Sequence, residues 1–243
     1  MADNKPSGIF EMVRTVVYAV GIALAVRTVA FEPFNIPSGS MIPTLIVGDY
    51  LFVSKSSYGY SRYSLPLGLP LFSGRIFATQ PERGDVAVFK LPADNKTDYI
   101  KRIIGLPGDR IRVNKGVLTI NGVPVKRERI EDYLKRESGG NMVRRRQYRE
   151  TLPNGRTSTI LEISDNEMAD NFPETLVPPG HYFAMGNNRD NSSDSRFSNV
   201  GFIPVDNLVG RAKFIFFSID GALWKFWNWP SSIRSERIFT SIH

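Results

Sequence analysis

The sequence predicts a mostly β fold: an antiparallel, barrel-like β core that carries an inserted β-rich subdomain and follows one N-terminal transmembrane helix. Three observations carry this reading. After residue 31 no long amphipathic helical pattern occurs, and short alternating or apolar runs separated by turn residues recur instead. With 20 glycines and 16 prolines, the chain has enough punctuation for many short strands. At 243 residues and 42% hydrophobic content it can bury a core as one domain or two unequal ones, and no internal repeat is visible.

The elements follow in chain order. Residues 1–8 form a tail, and 9–31 hold an apolar run, Val16 to Val26, closed by Arg14 and Arg27. That run alone is short of the roughly 20 residues a spanning helix needs, but arginines that snorkel towards opposite headgroup layers extend it. A cleavable secretion signal fits less well, because Arg27 interrupts the place of a small-residue cleavage site and Thr28-Val29-Ala30 is a poor substitute. The stretch "FNIPSGSMIPTL", Phe34 to Leu45, then sets two serines between prolines inside an apolar frame, as either a tight turn or a reactive site. Strands are predicted at "DYLFVSKSSY", "GDVAVFKL", "DYIKRIIG", "DRIRVN", "GVLTINGVPV", "HYFAMG" and "LVGRAKFIFFSI", with "LPGD", "NKG" and "NG" as turns. These place a β core over 32–125 and 173–220, interrupted by a Gly/Pro/aromatic loop from Tyr58 to Pro81 and by a polar insertion over 126–172. Residues 221–243 form a Trp-rich tail that covers a core edge or sits at a membrane interface.

Composition narrows the chemistry. Cysteine is absent, which removes thiol nucleophiles, disulfides and thiolate zinc sites. Two histidines, His181 and His243, leave little for a His-based metal site or a Ser-His-Asp triad, and His181 reads as a neutral strand residue. The formal charge is +7, and the stretch Lys126 to Glu150 holds nine Lys/Arg against five Asp/Glu. Without the stacked aromatics of RNA- or single-strand-binding sheets, that patch reads as a solvated face, and no nucleic-acid partner is expected.

A serine hydroxyl needs a neighbouring base, and with histidine nearly excluded the candidates are a carboxylate or a lysine. Lysine is preferred, because the alternation of "DYIKRIIG" sets Lys101 on a face with Tyr99 and Ile103, where burial disfavours the ammonium form. To act at neutral pH a lysine must fall by about three units, which takes about 4 kcal/mol of desolvation. "GNNRDNSSDSRF", Gly186 to Phe197, reads as a compact loop with Arg189 and Arg196 available to Asp190 and Asp194, since it lacks the central glycine and terminal glutamate of an EF-hand.

Together "PSGSMIPTLIVGDYLFVSK", "RGDVAVFK", "DYIKRIIGLPGDRI" and "GNNRDNSSDSRFSNVGFIP", in this order after an apolar segment, resemble the successive boxes of bacterial type I signal peptidases. The resemblance implies a Ser/Lys endopeptidase, single-pass in the bacterial cytoplasmic membrane with its catalytic core outside. It would remove signal peptides from exported preproteins, meet the lipid bilayer, act as a monomer and need no cofactor or metal. Position by position it implies Ser40 as nucleophile and Lys101 as general base, with Ser38 and the Ser40 N–H as the oxyanion hole. Ser192 would orient Lys101. Asp194 and Arg196 would form a supporting pair, with Gly186 allowing close backbone approach. Phe34, Ile36, Met41, Leu45, Val88, Tyr99 and Ile100 would line two shallow pockets for small, alanine-like side chains at the first and third positions before the scissile bond. One departure stands out: the family usually carries Asp at Asn187, expected to pair with Arg102, so a weaker hydrogen-bonded link is expected here. A self-cleaving repressor protease would need a DNA-binding helical domain, which the sequence lacks, and a membrane-tethered β-rich binding module would use the serines only as a turn.

Overall fold

The computed structural model describes residues 8–65, 71–136, 142–221, 227 and 229–243. Helix α1 spans Gly8–Val29 and stands away from the β body, with Ile9, Phe10, Val13, Val16 and Val17 all exposed. Among the described residues no helix is long and apolar enough to cross a membrane. Within the segment 9–31, α1 stops at Val29, and Phe31 opens a strand. Pro33 supplies the reason, because its ring would clash with the carbonyl four residues earlier, that of Val29. Glu32 then ties the junction to the body, accepting from Arg27 and pairing with Lys55 Nζ at 3.0 Å.

The largest sheet is built from β1 (Phe31–Asn35), β2 (Asp49–Ser54), β3 (Val86–Lys90) and β4 (Asp98–Gly105), completed by three strands from the far end of the chain. Between them in sequence lie β5 (Arg110–Asn114), β6 (Val117–Ile120), β7 (Val123–Pro124), β8 (Lys126–Arg129), β9 (Tyr133–Arg136), β10 (Met142–Thr151), β11 (Thr157–Glu162) and β12 (Phe172–Leu176). Then come β13 (His181–Met185), β14 (Ile203–Pro204), β15 (Leu208–Ser218) and the short α2 (Trp229–Ser232). The seven-stranded sheet runs β1-β2-β15-β3-β4-β13-β14 with every neighbouring pair antiparallel. It is open, with β1 and β14 at its edges, so the barrel-like expectation is realised without closure. A second sheet joins β8, β10 and β11, with β9 on β10, and a third runs β12-β5-β6-β7.

Local chemistry explains the pattern. Strand β5 alternates strictly, Ile111 and Val113 inward and its polar residues outward, as a sheet with one wet face requires. Strand β3 is buried on both faces: Val86 and Val88 enter one core cluster, Ala87 and Phe89 another. The tight connection between β6 and β7 turns at Asn121 and Gly122, both with positive φ (53° and 79°), the geometry that makes Asn-Gly the preferred two-residue hairpin turn.

The C-terminal stretch takes part in the core. Ile242 joins the cluster beneath β1, β2 and β15, and Arg237 reaches back to Asp49 with its Nε at 2.9 Å. Trp229 packs its ring 5.9 Å from Phe217, while Trp227 is 60% exposed. The third tryptophan, Trp224, and the centre of the 58–81 loop, residues 66–70, lie outside the described residues.

Candidate active site

The connection from β1 to β2 carries the serines. It is closed at its base by Ile36 N–H donating to Asp49 O and Gly48 N–H to Ile36 O, and stapled by Met41, Ile42 and Leu45, which sink into the protein. The Leu45 N–H donates to Met41 O at 3.0 Å, a single helical turn that sends both side chains the same way. Asp49, fully buried, secures the far end by accepting from Ile46 N–H, Ser218 Oγ and Arg237. Ser40, held between these anchors, is 7% exposed.

Strand β4 brings Lys101 to it. Its Nζ donates to Ser40 Oγ at 2.7 Å and lies 5.2 Å from the Tyr99 ring centroid, with the residue only 4% exposed. Burial draws the ammonium down to about 8, against the opposing charge of Asp194. Lys101 thus reaches most of the way towards a neutral base before anything covers it.

The loop after β13 forms the support. For Asp194, burial favours the neutral acid, but the Arg196 guanidinium outweighs it and holds the carboxyl below its usual range. The two side chains meet at 2.9 Å with almost no exposure, and Asp194 also accepts from Gly186 N–H at 2.9 Å. Gly186 is required for space: a Cβ there would sit 2.2 Å from Ser192 Oγ and 2.6 Å from Ser40 O. The expected Lys101–Ser192 hydrogen bond is not formed. Ser192 Oγ is buried instead on the side of Asp194, where its hydroxyl adds to the groups that hold that carboxyl ionised.

Asn187 does more than the weak link expected of it. Its Oδ1 accepts from Arg102 Nε at 3.1 Å, while its Nδ2 donates to Thr159 O at 2.9 Å and to Thr44 Oγ1 at 2.6 Å. A carboxylate could not make the last two as a donor. Burial, reinforced by the charge of Arg189, draws Arg102 to about 10, so it remains a cation at neutral pH. Beneath it Arg189 makes a two-pronged buried pair with Glu150 of β10, one prong at 2.9 Å. The pairing joins the second sheet to the loop after β13.

Above the Ser40–Lys101 contact lies a cleft of about 560 Å³. Phe34, Ile36, Val88, Tyr99 and Ile100 border it as expected, and so does Ser38. Met41 and Leu45 do not. Both have no exposure at all and belong to the core behind the cleft, a correction that follows from the helical turn they share. Sequence reading missed Asn35, Asp98, Asn188, Asn191 and Ser193 on the rim. The only signal for the last three was their place in the Asn/Ser-rich loop. Among the described residues no group of three or more His, Cys, Asp or Glu is placed to hold a metal, and His181 Nδ1 lies 2.9 Å from Pro179 O.

This arrangement, set in a mostly β chain, meets a defined class in comparisons with known proteins. The family described as signal peptidase, peptidase S26 matches residues 9–217, which makes the chain a peptidase. Signal peptidase I of Rickettsia typhi is 41% identical over 93% of this chain and 91% of its own, and that of Rickettsia conorii 41% identical over 93% and 90%. The chain belongs to the signal peptidase I family. A crystal structure of a signal peptidase I from Enterococcus faecalis is 29% identical and covers 55% of this chain and 97% of its own, at a TM-score of 0.33.

Proposed function

We propose that the protein is a membrane-bound serine endopeptidase that cleaves N-terminal signal peptides from exported preproteins with a Ser40/Lys101 dyad. The observation that carries this is the 2.7 Å contact between a buried amine and a serine hydroxyl beneath an apolar cleft. Neutral Lys101 takes the Ser40 proton as Oγ attacks the scissile carbonyl. The oxyanion is received by the Ser40 N–H and the Ser38 hydroxyl. The lysine then passes the proton to the departing amine, leaving an acyl-Ser40 that a water, deprotonated by the same lysine, hydrolyses. Phe34, Ile36, Val88, Tyr99 and Ile100 favour small, alanine-like side chains at the first and third positions before the cut.

With this reading goes a proposed organisation of a β core over 32–125 and 173–220 with an inserted subdomain over 126–172, and the C-terminal stretch braces Asp49 through Arg237. Helix α1 exposes apolar side chains outside the β body, which suits attachment to the cytoplasmic membrane with the core on its outer side. Deleting residues 1–29 is expected to leave peptide cleavage intact and to slow cleavage of vesicle-borne precursors; equal loss on both substrates would contradict the anchor.

The test of the dyad is the pH profile of preprotein cleavage in detergent. With Lys101 at about 8, activity should rise with pH and level off above it, gaining roughly tenfold between pH 7 and 9 as the neutral fraction grows. The same depressed value makes folding less favourable at neutral pH, where a buried ammonium is carried, and stability should rise as pH passes from about 8 towards about 10.4, the unfolded value. A rate that is flat between pH 7 and 9 removes Lys101 as the base.

A further inference from the structure

Ser40 is reached by more than Lys101. Asn188, 8% exposed and bordering the cleft, holds two consecutive carbonyls of the serine turn. Its backbone N–H donates to Ser40 O at 3.0 Å and its side-chain Nδ2 donates to Gly39 O at 3.0 Å. Its own orientation is fixed from the other side, where Asn191 Nδ2 donates to Asn188 Oδ1 at 3.3 Å and Asn191 N–H to Asn188 O at 3.0 Å.

The Gly39 carbonyl matters because of what shares its plane. In a trans peptide unit the C=O of one residue and the N–H of the next lie in one rigid plane and point in opposite directions. Holding Gly39 O towards Asn188 therefore aims the Ser40 N–H away from it. Gly39 is the residue type that resists rotation of that unit least. A second hold on Gly39 O comes from Ile42 N–H, at 3.2 Å. Asn188 is the shorter of the two, and it comes from a different part of the chain.

We infer that Asn188 is a positioning residue for the oxyanion hole: its amide fixes the Gly39–Ser40 peptide so that the Ser40 N–H meets the developing oxyanion. This rests on the Ser40 reading given above. It touches neither the nucleophile's oxygen nor the lysine, so its contribution falls on the stability of the tetrahedral intermediate and not on proton transfer.

The full-length enzyme in detergent, with a peptide spanning a signal-peptide junction, provides the test. Asn188→Ala removes the donor, and Asn188→Asp keeps the shape while losing it. Removing an oxyanion donor outright costs on the order of 10²–10³ in kcat. Loss of its aim, with Ile42 still in place, should cost roughly 10- to 100-fold in kcat, with KM within about twofold. In Asn188→Ala the acid limb of the pH profile should stay where it is in the unsubstituted enzyme. Affinity for a peptide aldehyde, which forms a tetrahedral adduct, should fall in step with kcat. Unchanged kcat, a rise in KM alone, a displaced acid limb in Asn188→Ala, or an activity loss explained by a lowered melting temperature would each overturn the inference. Ser40→Ala assayed in parallel separates the two levels: if it still cleaves, the nucleophile assignment falls and this role with it. If it is inactive while both Asn188 variants cleave normally, only the role of Asn188 falls.

Discussion

Lys101→Met will lower preprotein cleavage by about 10³-fold or more, and Ser40→Ala will do the same, while both proteins stay folded. A positioned base alone contributes on the order of 10²–10⁴ in rate. Here, among the described residues, no other side chain is hydrogen-bonded to Ser40 Oγ to take over. Methionine keeps the length and volume of the lysine stem, so the loss reports on the amine and not on packing. Stability should move the opposite way. An amine brought from its ordinary value to about 8 burdens the fold at neutral pH by about 3 kcal/mol, at roughly 1.4 kcal/mol per unit. An apolar replacement lifts much of that, so Lys101→Met should melt at a higher temperature than the unsubstituted enzyme. Such opposed changes are the mark of a group retained for activity at the expense of stability. Cleavage within tenfold of the starting enzyme, or a clear fall in melting temperature, would remove Lys101 from the role.

How much of this could be read from the chain depends on the range of the forces involved. The alternation of "DRIRVN" is local and suffices to place β5 with Ile111 and Val113 inward. "FEPFN" offers no such signal. It is five residues with a proline in the middle, tolerated because β1 is an edge strand, and pairing with β2 is what makes it a strand. The apolar frame around Ser40 was visible, but not its division. The turn from Met41 to Leu45 turns both side chains wholly into the core, whereas Phe34 and Ile36, on the β1 side of the serine, pack on that core and also border the cleft. Asn187 shows a further limit. Charge logic made its amide a poor substitute for a carboxylate, yet the carbonyl of Thr159 and the hydroxyl of Thr44 stand where a donor is needed. Neither neighbour is close to Asn187 in sequence.

The Arg189–Glu150 pair was likewise invisible, since nothing in "MVRRRQYRE" distinguishes its last glutamate from a surface charge. Its consequence is large. Side-chain exposures of 3% and 1% mean that both charges have left water, and the pair holds its place because each satisfies the other. Arg189 also donates from Nε to Gly186 O at 3.2 Å, and its own carbonyl accepts from Arg196 Nη2 at 2.5 Å, so the loop behind the dyad is hung on it. Glu150→Ala strands a buried guanidinium, which typically costs about 3–5 kcal/mol. The lower end is expected, because Glu162, pushed up to about 7 by burial with Glu150 adding to the effect, becomes more readily ionised once Glu150 is gone. At 2–4 °C per kcal/mol for a chain of this size, the melting temperature should fall by roughly 10 °C. Cleavage should fail at temperatures where the unsubstituted enzyme still works. Removing both charges, as in Glu150→Leu with Arg189→Met, should recover most of the stability, because an apolar pair strands nothing. A single substitution that melts within about 2 °C of the starting protein, or a double one no better than the single, would show that the second sheet does not hold up the catalytic loop through this contact.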